Sequence, residues 1–179
     1  MRAFWNLALT QIKIYLREPA AAFFTLAWAP LMLVLFGSIY GNDPASFVGG
    51  YGFIDVTTAA YIAMVIDNVG LLTIPVDVAM KRETGMLHRL RATPLRSSTF
   101  ILADVLTYII VLLLGTLIMC AVAVFGFGAQ FYGNWGLLLL AFLLTTFAMY
   151  AMGYLLAAVA PSVQVANVFG FIEIGRAHV

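Results

Sequence analysis

The residues best suited to a functional contact form one basic segment, 81–96, which holds five of the chain's nine Lys and Arg residues. Gly85 and Pro94 bound a short helical run within it. Leu87 and Leu90 lie one helical turn apart and could pack into a partner's groove, while the arginines fix the orientation. A short helix between two membrane helices would transmit its own displacement to both of them. The alternative, which composition alone favours, is that these charges only rest on anionic lipid.

A second set of polar residues interrupts an apolar stretch upstream. Asp67 and Asn68 lie near its middle, and Asp77 lies closer to its end. Inside a membrane such groups must face protein or water. They therefore predict either a substrate path, including recognition of a cation, or a helix–helix interface, and the second is slightly favoured. Asp104 begins the next apolar stretch and is expected to pair with Arg96 or a neighbouring base.

Enzymatic chemistry finds no support in the residue pattern. Hydrolysis needs a nucleophile with a base or a set of metal ligands, and His88 is the only credible histidine. The single cysteine, Cys120, excludes a disulfide framework and a zinc cluster. No G-x-x-x-x-G-K-[ST] phosphate loop occurs, and neither Lys13 nor Lys81 follows a suitable glycine. We predict no catalytic residue, no metal and no cofactor in this chain.

The elements that position these residues follow from composition. Hydrophobic residues make up 64% of the 179 and charged residues 9%, against about 45–50% and about 25% in soluble domains. Such a chain cannot cover a globular surface with polar groups, so it is an integral membrane protein. A formal net charge of +1 gives no basic field for nucleic acid.

Uncharged stretches long enough to cross a bilayer predict an all-α polytopic fold with four membrane spans. The predicted spans are 21–40, 59–80, 100–125 and 137–160, and the apolar segment 163–173 begins a fifth. The second span has a nearly neutral insertion energy, because the cost of a central Asp67 nearly cancels its apolar contribution. Pro161 ends the fourth span, and Gly70, Gly115 and Gly153 are expected to allow close approach of the helices.

The positions of the basic residues support four crossings. Residues 2–18 predict an amphipathic helix in the membrane interface. Its polar stripe consists of Arg2, Asn6, Thr10, Lys13 and Arg17. Lys and Arg precede the first span and follow the second, but none occurs in 41–56 or 126–136. By the positive-inside rule, the amino terminus and the basic segment are expected on the cytoplasmic side.

The last six residues, Ile174-Gly175-Arg176-Ala177-His178-Val179, match the translation of a common sequencing adapter. We predict that 174–179 are foreign and that the native reading frame continues past residue 172 or 173. The chain is then a fragment, and Arg176 and His178 are excluded from functional reasoning.

The run from Lys81 to Leu95 resembles the loop between the second and third spans of type-2 ATP-binding-cassette (ABC) permeases. That family's pattern there is roughly R-E-R-G-T-L-E-R-L-R-A-T-P-L. Arg17-Glu18-Pro19 and Pro30 also resemble the family, as does the order of an amphipathic helix, two spans, a basic loop and two spans. His88 stands where the pattern usually has Glu, and Met86 where it has Thr.

The resemblance implies that residues 1–173 belong to a six-span permease, which pairs with a second permease and with ABC ATPase subunits. The ATPase would bind ATP and Mg, and the permease would export an amphiphilic drug, lipid or glycan-like substrate across the cell membrane. The implied ATPase-coupling residues are Lys81, Arg82, Glu83, Thr84, Gly85, Leu87, His88, Arg89, Leu90 and Arg91. The alternative from a different class is an ion-gradient-driven transporter or channel that uses Asp67 and Asp77.

Overall fold

The computed structural model describes residues 2–17, 19–43, 49–86 and 97–176, and this part of the chain is a bundle of helices without a strand. Its elements are α1 (Arg2–Arg17), α2 (Phe23–Tyr40, preceded by the helical turn Pro19–Ala22), α3 (Phe53–Glu83), α4 (Ser97–Ala121, continued by the π-helical Val122–Gly126), α5 (Trp135–Val159) and α6 (Val163–Arg176). Helices α2 to α5 are long and apolar enough to cross a membrane. The predicted fold class, all-α and polytopic with four spans, is confirmed.

Helix α3 is longer than the span predicted at 59–80, because it begins at Phe53. The first turn of α3 is capped by Asn42, a residue that lies outside the helix. The Asn42 side-chain oxygen accepts hydrogen bonds from the amides of Ile54 at 3.0 Å and Asp55 at 3.3 Å. The Asp55 carboxylate in turn accepts the amide of Gly52 at 3.3 Å. These bonds satisfy amides that a helix start otherwise leaves unpaired.

Two spans contain a π-helical segment at the same distance before a proline. Phe23–Trp28 ends two residues before Pro30, and Asn68–Thr73 ends two residues before Pro75. Proline lacks an amide hydrogen, and its ring crowds the carbonyl four residues earlier, so the preceding turn widens. The widened turn of α3 lies directly after Asp67.

Helix α3 is the central helix of the bundle. Its best apolar window is 44% buried, against 28%, 28% and 17% for α2, α4 and α5. Val65, Val69 and Ile74 of α3 lie in the core with Leu112 of α4. The most acidic span is therefore the one that protein covers most, which explains how a segment with a nearly neutral insertion energy is accommodated.

Glycines allow the helices to approach closely, as predicted for Gly70, Gly115 and Gly153. A Cβ on Gly153 would overlap the carbonyl oxygen of Gly70, and one on Gly70 would lie 2.8 Å from the Cβ of Met149. A Cβ on Gly115 would lie 3.1 Å from the carbonyl oxygen of Thr25. Small residues thus set the contacts of α3 with α5 and of α4 with α2.

Helix α1 packs along the first turns of α4. Ala8, Gln11 and Tyr15 form its buried face, while Lys13 and Arg17 of the predicted polar stripe are exposed. Thr10 of that stripe is also exposed, and the side chains of Arg2 and Asn6 lie outside the described part. The described portion of α1 therefore has the amphipathic character that the sequence predicts.

Candidate functional site

The basic segment begins at the last turn of α3. Lys81, Arg82 and Glu83 end that helix, Thr84 follows, and Gly85 adopts a φ of +68°, which glycine accommodates without strain. The other predicted coupling residues fall outside the described residues: Leu87, His88, Arg89, Leu90 and Arg91.

Arg82 and Glu83 contact the connection between α5, which ends at Val159, and α6, which begins at Val163; we call this connection the α5–α6 joint. The Arg82 guanidinium donates to the carbonyl oxygens of Ala157 at 2.9 Å and Ala160 at 3.0 Å. The Glu83 carboxylate accepts the amide of Val163 at 2.9 Å. Two adjacent residues of α3 therefore bind both sides of a joint about eighty positions later in the chain.

The charges at this joint suit the helix ends that they touch. A cation near the last carbonyls of α5 and an anion at the first amide of α6 both complement the helix dipoles. Each also satisfies backbone groups that the helix end leaves unpaired. Because Arg82 forms two directed bonds, it fixes orientation as well as distance.

Lys81 points the other way, into the interface of α3 and α4. Its Nζ lies 2.5 Å from Asp77 Oδ2 and 2.6 Å from Asp104 Oδ1, and its side chain is only 13% exposed. Asp77 also accepts a hydrogen bond from the Tyr108 hydroxyl. The partner of Asp104 is thus Lys81, whereas Arg96 lies outside the described residues. Of the predicted coupling residues, Lys81 faces the bundle interior.

A cavity of about 680 Å³ opens beside this cluster. All three predicted intramembrane polar residues, Asp67, Asn68 and Asp77, line it, together with Lys81. Ten residues of helix, about 15 Å, separate Asp67 from Asp77. The structure therefore brings the three predicted intramembrane polar residues and one predicted coupling residue, Lys81, to one cavity.

Sequence reasoning missed the residues that other helices contribute to this cavity. Gln11 comes from α1, Trp28 from α2, and Thr107 and Tyr108 from α4. A usable signal existed for Gln11, because it follows Ala8 by three positions and precedes Tyr15 by four. That spacing defines a single helix face, opposite the charged stripe. Trp28 and Tyr108 could not be recognised in this way, because no sequence pattern distinguishes them from the many other aromatic residues of this apolar chain.

Contacts along α4 place α1 and the start of the basic segment at the same end of the bundle. Asp104 contacts Lys81, and one turn later the Thr107 hydroxyl contacts the Gln11 side-chain oxygen at 3.3 Å. The described part of the opposite end is instead held by Asp55, whose carboxylate accepts from the Asn42 side chain at 3.0 Å and the Gln130 amide at 2.9 Å.

Within the described ranges, no group of three His, Cys, Asp or Glu residues is placed to hold a metal ion. The acidic side chains near the cavity are paired with Lys81 or spread along α3. The site therefore consists of an ion-paired cluster around Lys81, a cavity that extends along α3, and the hydrogen bonds of Arg82 and Glu83 to the α5–α6 joint.

The family model for ABC-2 type transporters matches residues 2–174. The chain belongs to this family and forms its transmembrane permease part, which is distinct from the ATP-binding domain. No curated protein and no solved structure matches the chain. Membership in the family implies a partnership with an ABC ATPase.

Proposed function

We propose that this chain is the permease of an ATP-driven exporter and that its ATPase partner acts on the segment 81–96. The observation that carries the proposal is the pair of contacts from Arg82 and Glu83 to the α5–α6 joint. A loop that only rested on lipid would not need bonds to two other helices. The family match supplies the class of motor.

These contacts suggest how a displacement of the segment 81–96 would be transmitted to other helices. Displacement of the segment moves the end of α3, and the bonds of Arg82 and Glu83 carry the end of α5 and the start of α6 with it. The ion pair between Lys81 and Asp104 links the same turn to α4. One input would therefore reorient four helix ends around the cavity.

The partners, location and substrate that we propose also follow from the family match. An ABC ATPase would bind Mg–ATP, a second permease would complete the transport path, and lipid would contact the exposed apolar helix faces. The positive-inside rule supports a cytoplasmic location for Lys13, Arg17 and the basic segment, in the cell membrane. We propose an amphiphilic substrate, of the drug, lipid or glycan-like kind, moved outward.

The role of Glu83 can be tested in proteoliposomes that contain the permease and its ATPase. Glu83→Ala removes the acceptor of the Val163 amide, and we expect export to fall about tenfold while ATP hydrolysis continues, since a hydrogen bond to a charged group contributes about 1.5–3 kcal/mol. Glu83→Gln keeps an acceptor without the charge and should give an intermediate loss. Export and hydrolysis are measured on the same vesicles.

The matched control is Asp43→Ala, which removes an exposed carboxylate at the opposite end of the bundle. It should leave both rates unchanged. Wild-type export from Glu83→Ala at normal expression would refute the coupling role. Export driven by an ion gradient without the ATPase would instead favour the alternative class that uses Asp67 and Asp77.

A further inference from the structure

The cavity between α1, α2, α3, α4 and α6 has a chemistry that narrows the substrate class. We infer that it binds an organic cation with a bulky apolar body. This inference rests on the proposed function, because it names the class of molecule that the exporter carries. At about 680 Å³ the cavity lies within the range of about 300–1,000 Å³ that is usual for small-molecule sites.

The charge of the lining is the first reason. Lys81 is the only basic residue among the described residues that line the cavity, and it pairs with both Asp77 and Asp104. One ammonium against two carboxylates leaves one negative charge, and the Asp67 side chain lines the same cavity further along α3. Excess negative charge inside a membrane protein is costly, so a bound cation would stabilise the site.

Aromatic side chains provide the second reason. Trp28 and Phe24 of α2 and Phe171 of α6 line the same cavity, and their rings attract cations through their negative faces. They also offer the flat apolar surface that aryl groups pack against. A small metal ion prefers water and other oxygen ligands and gains no apolar packing from these rings, whereas an organic cation uses both the rings and the carboxylates.

An unsatisfied amide gives an independent sign of a ligand. Gln11 is 7% exposed and lines the cavity, and its side-chain nitrogen has no hydrogen-bond partner among the described residues. The Thr107 hydroxyl has one proton and already donates it to the Ala103 carbonyl at 2.9 Å. With its amide turned by 180°, Gln11 donates to Thr107 and leaves its oxygen to accept from a ligand. In either orientation one polar atom of Gln11 lacks a partner among the described residues, and such buried groups are rare.

Binding of tetraphenylphosphonium to the intact permease–ATPase complex tests the inference. The complex is held in nanodiscs without ATP, and binding to protein-free nanodiscs is subtracted. Tetraphenylborate has nearly the same shape and the opposite charge, so it is the matched ligand control. We expect saturable binding of the cation and at least about tenfold weaker binding of the anion, which corresponds to about 1.4 kcal/mol.

Two cavity variants complete the design. Asp67→Asn removes one charge with almost no change in size, and Trp28→Leu removes one ring; each should weaken binding of the cation about tenfold, or about 1.4 kcal/mol. Asp43→Asn is the matched control outside the cavity and should bind like wild type. Equal recovery of the permease–ATPase complex in size-exclusion chromatography shows that each variant has assembled.

Three results would overturn the inference: no saturable binding of the cation, equal affinity for cation and anion, or unchanged affinity in both cavity variants. The proposed function fails in a different way. If the complex binds the cation but exports nothing with ATP, the cavity assignment stands and the exporter assignment falls. If ATP-driven export occurs but the cation does not bind, only the inference about substrate class is wrong.

Discussion

Lys81 holds two carboxylates of neighbouring helices together at the end of α3. Asp104 is only 3% exposed and lies 2.6 Å from the Lys81 ammonium, so neither charge is compensated by water. A buried ion pair of this kind adds little net stability, because the loss of hydration offsets much of its attraction. Removal of one partner is nevertheless strongly destabilising, since the other charge then stays buried without compensation. Its structural effect is to fix α3 against α4 next to the coupling segment.

Removal of that ammonium should be strongly destabilising. Lys81→Met leaves Asp77 and Asp104 facing each other without a cation, and we expect the free energy of unfolding to fall by about 3 kcal/mol. Addition of Asp104→Asn to this variant should recover part of the loss, because one repelling charge is then gone. The measurement is denaturant unfolding of the purified protein in detergent.

Lys13→Met is the comparison for the loss of a lysine, since Lys13 is exposed on α1. Its effect should stay within about 0.5 kcal/mol. A Lys81→Met protein as stable as Lys13→Met would contradict the role assigned to the ion pairs.

Among the elements, the close contact between α3 and α5 depends on two glycines. The backbones meet at Gly70 and Gly153, so the first atom of any side chain there meets the other helix. This contact determines how α5 reaches the Arg82 end of α3. It also keeps α3 central in the bundle.

Gly153→Ala should therefore lower the free energy of unfolding by about 2 kcal/mol, because its methyl group overlaps backbone that cannot move aside alone. Gly126→Ala is the matched control, since a Cβ there meets nothing within 4 Å. It should change stability by less than about 0.5 kcal/mol. Equal effects of the two substitutions would show that the α3–α5 contact is not close-packed.

The sequence predicted the helices better than the contacts between them. Runs without charge identified the four spans, and isolated glycines indicated where helices come close, but not that Gly70 meets Gly153. The early start of α3 depends on Asn42, a loop residue that lies 12 and 13 positions before the two amides it accepts, so no local pattern predicts the contact. The π-helical turns before Pro30 and Pro75 were not predicted, because a proline shows that a helix is perturbed without showing how.

The candidate site could be predicted only in part. Asp67, Asn68 and Asp77 were predicted because polar residues are costly in an apolar span, and the structure brings all three to one cavity. Their roles remain proposals. The pairing of Lys81 with Asp104 depends on the register of two helices, which no local pattern contains. Arg82 was predicted to orient a partner, whereas the described contacts join it to the α5–α6 joint.

In the whole molecule, coupling to an ATPase requires that the amino-terminal helix and the basic segment lie on one side of the membrane. The structure puts them at one end of the bundle, because Gln11 of α1 and Lys81 of α3 contact successive turns of α4. A soluble motor can reach both only if that end faces the cytoplasm.

Cysteine labelling tests this most directly. In a Cys120→Ala background, Lys13→Cys and Thr84→Cys report the end that carries the basic segment, and Asp43→Cys and Tyr132→Cys report the opposite end; all four positions are exposed. A membrane-impermeant maleimide should label positions 13 and 84 only in inverted vesicles, and positions 43 and 132 in intact cells. Labelling of positions 13 and 84 from opposite sides of the membrane would contradict the account.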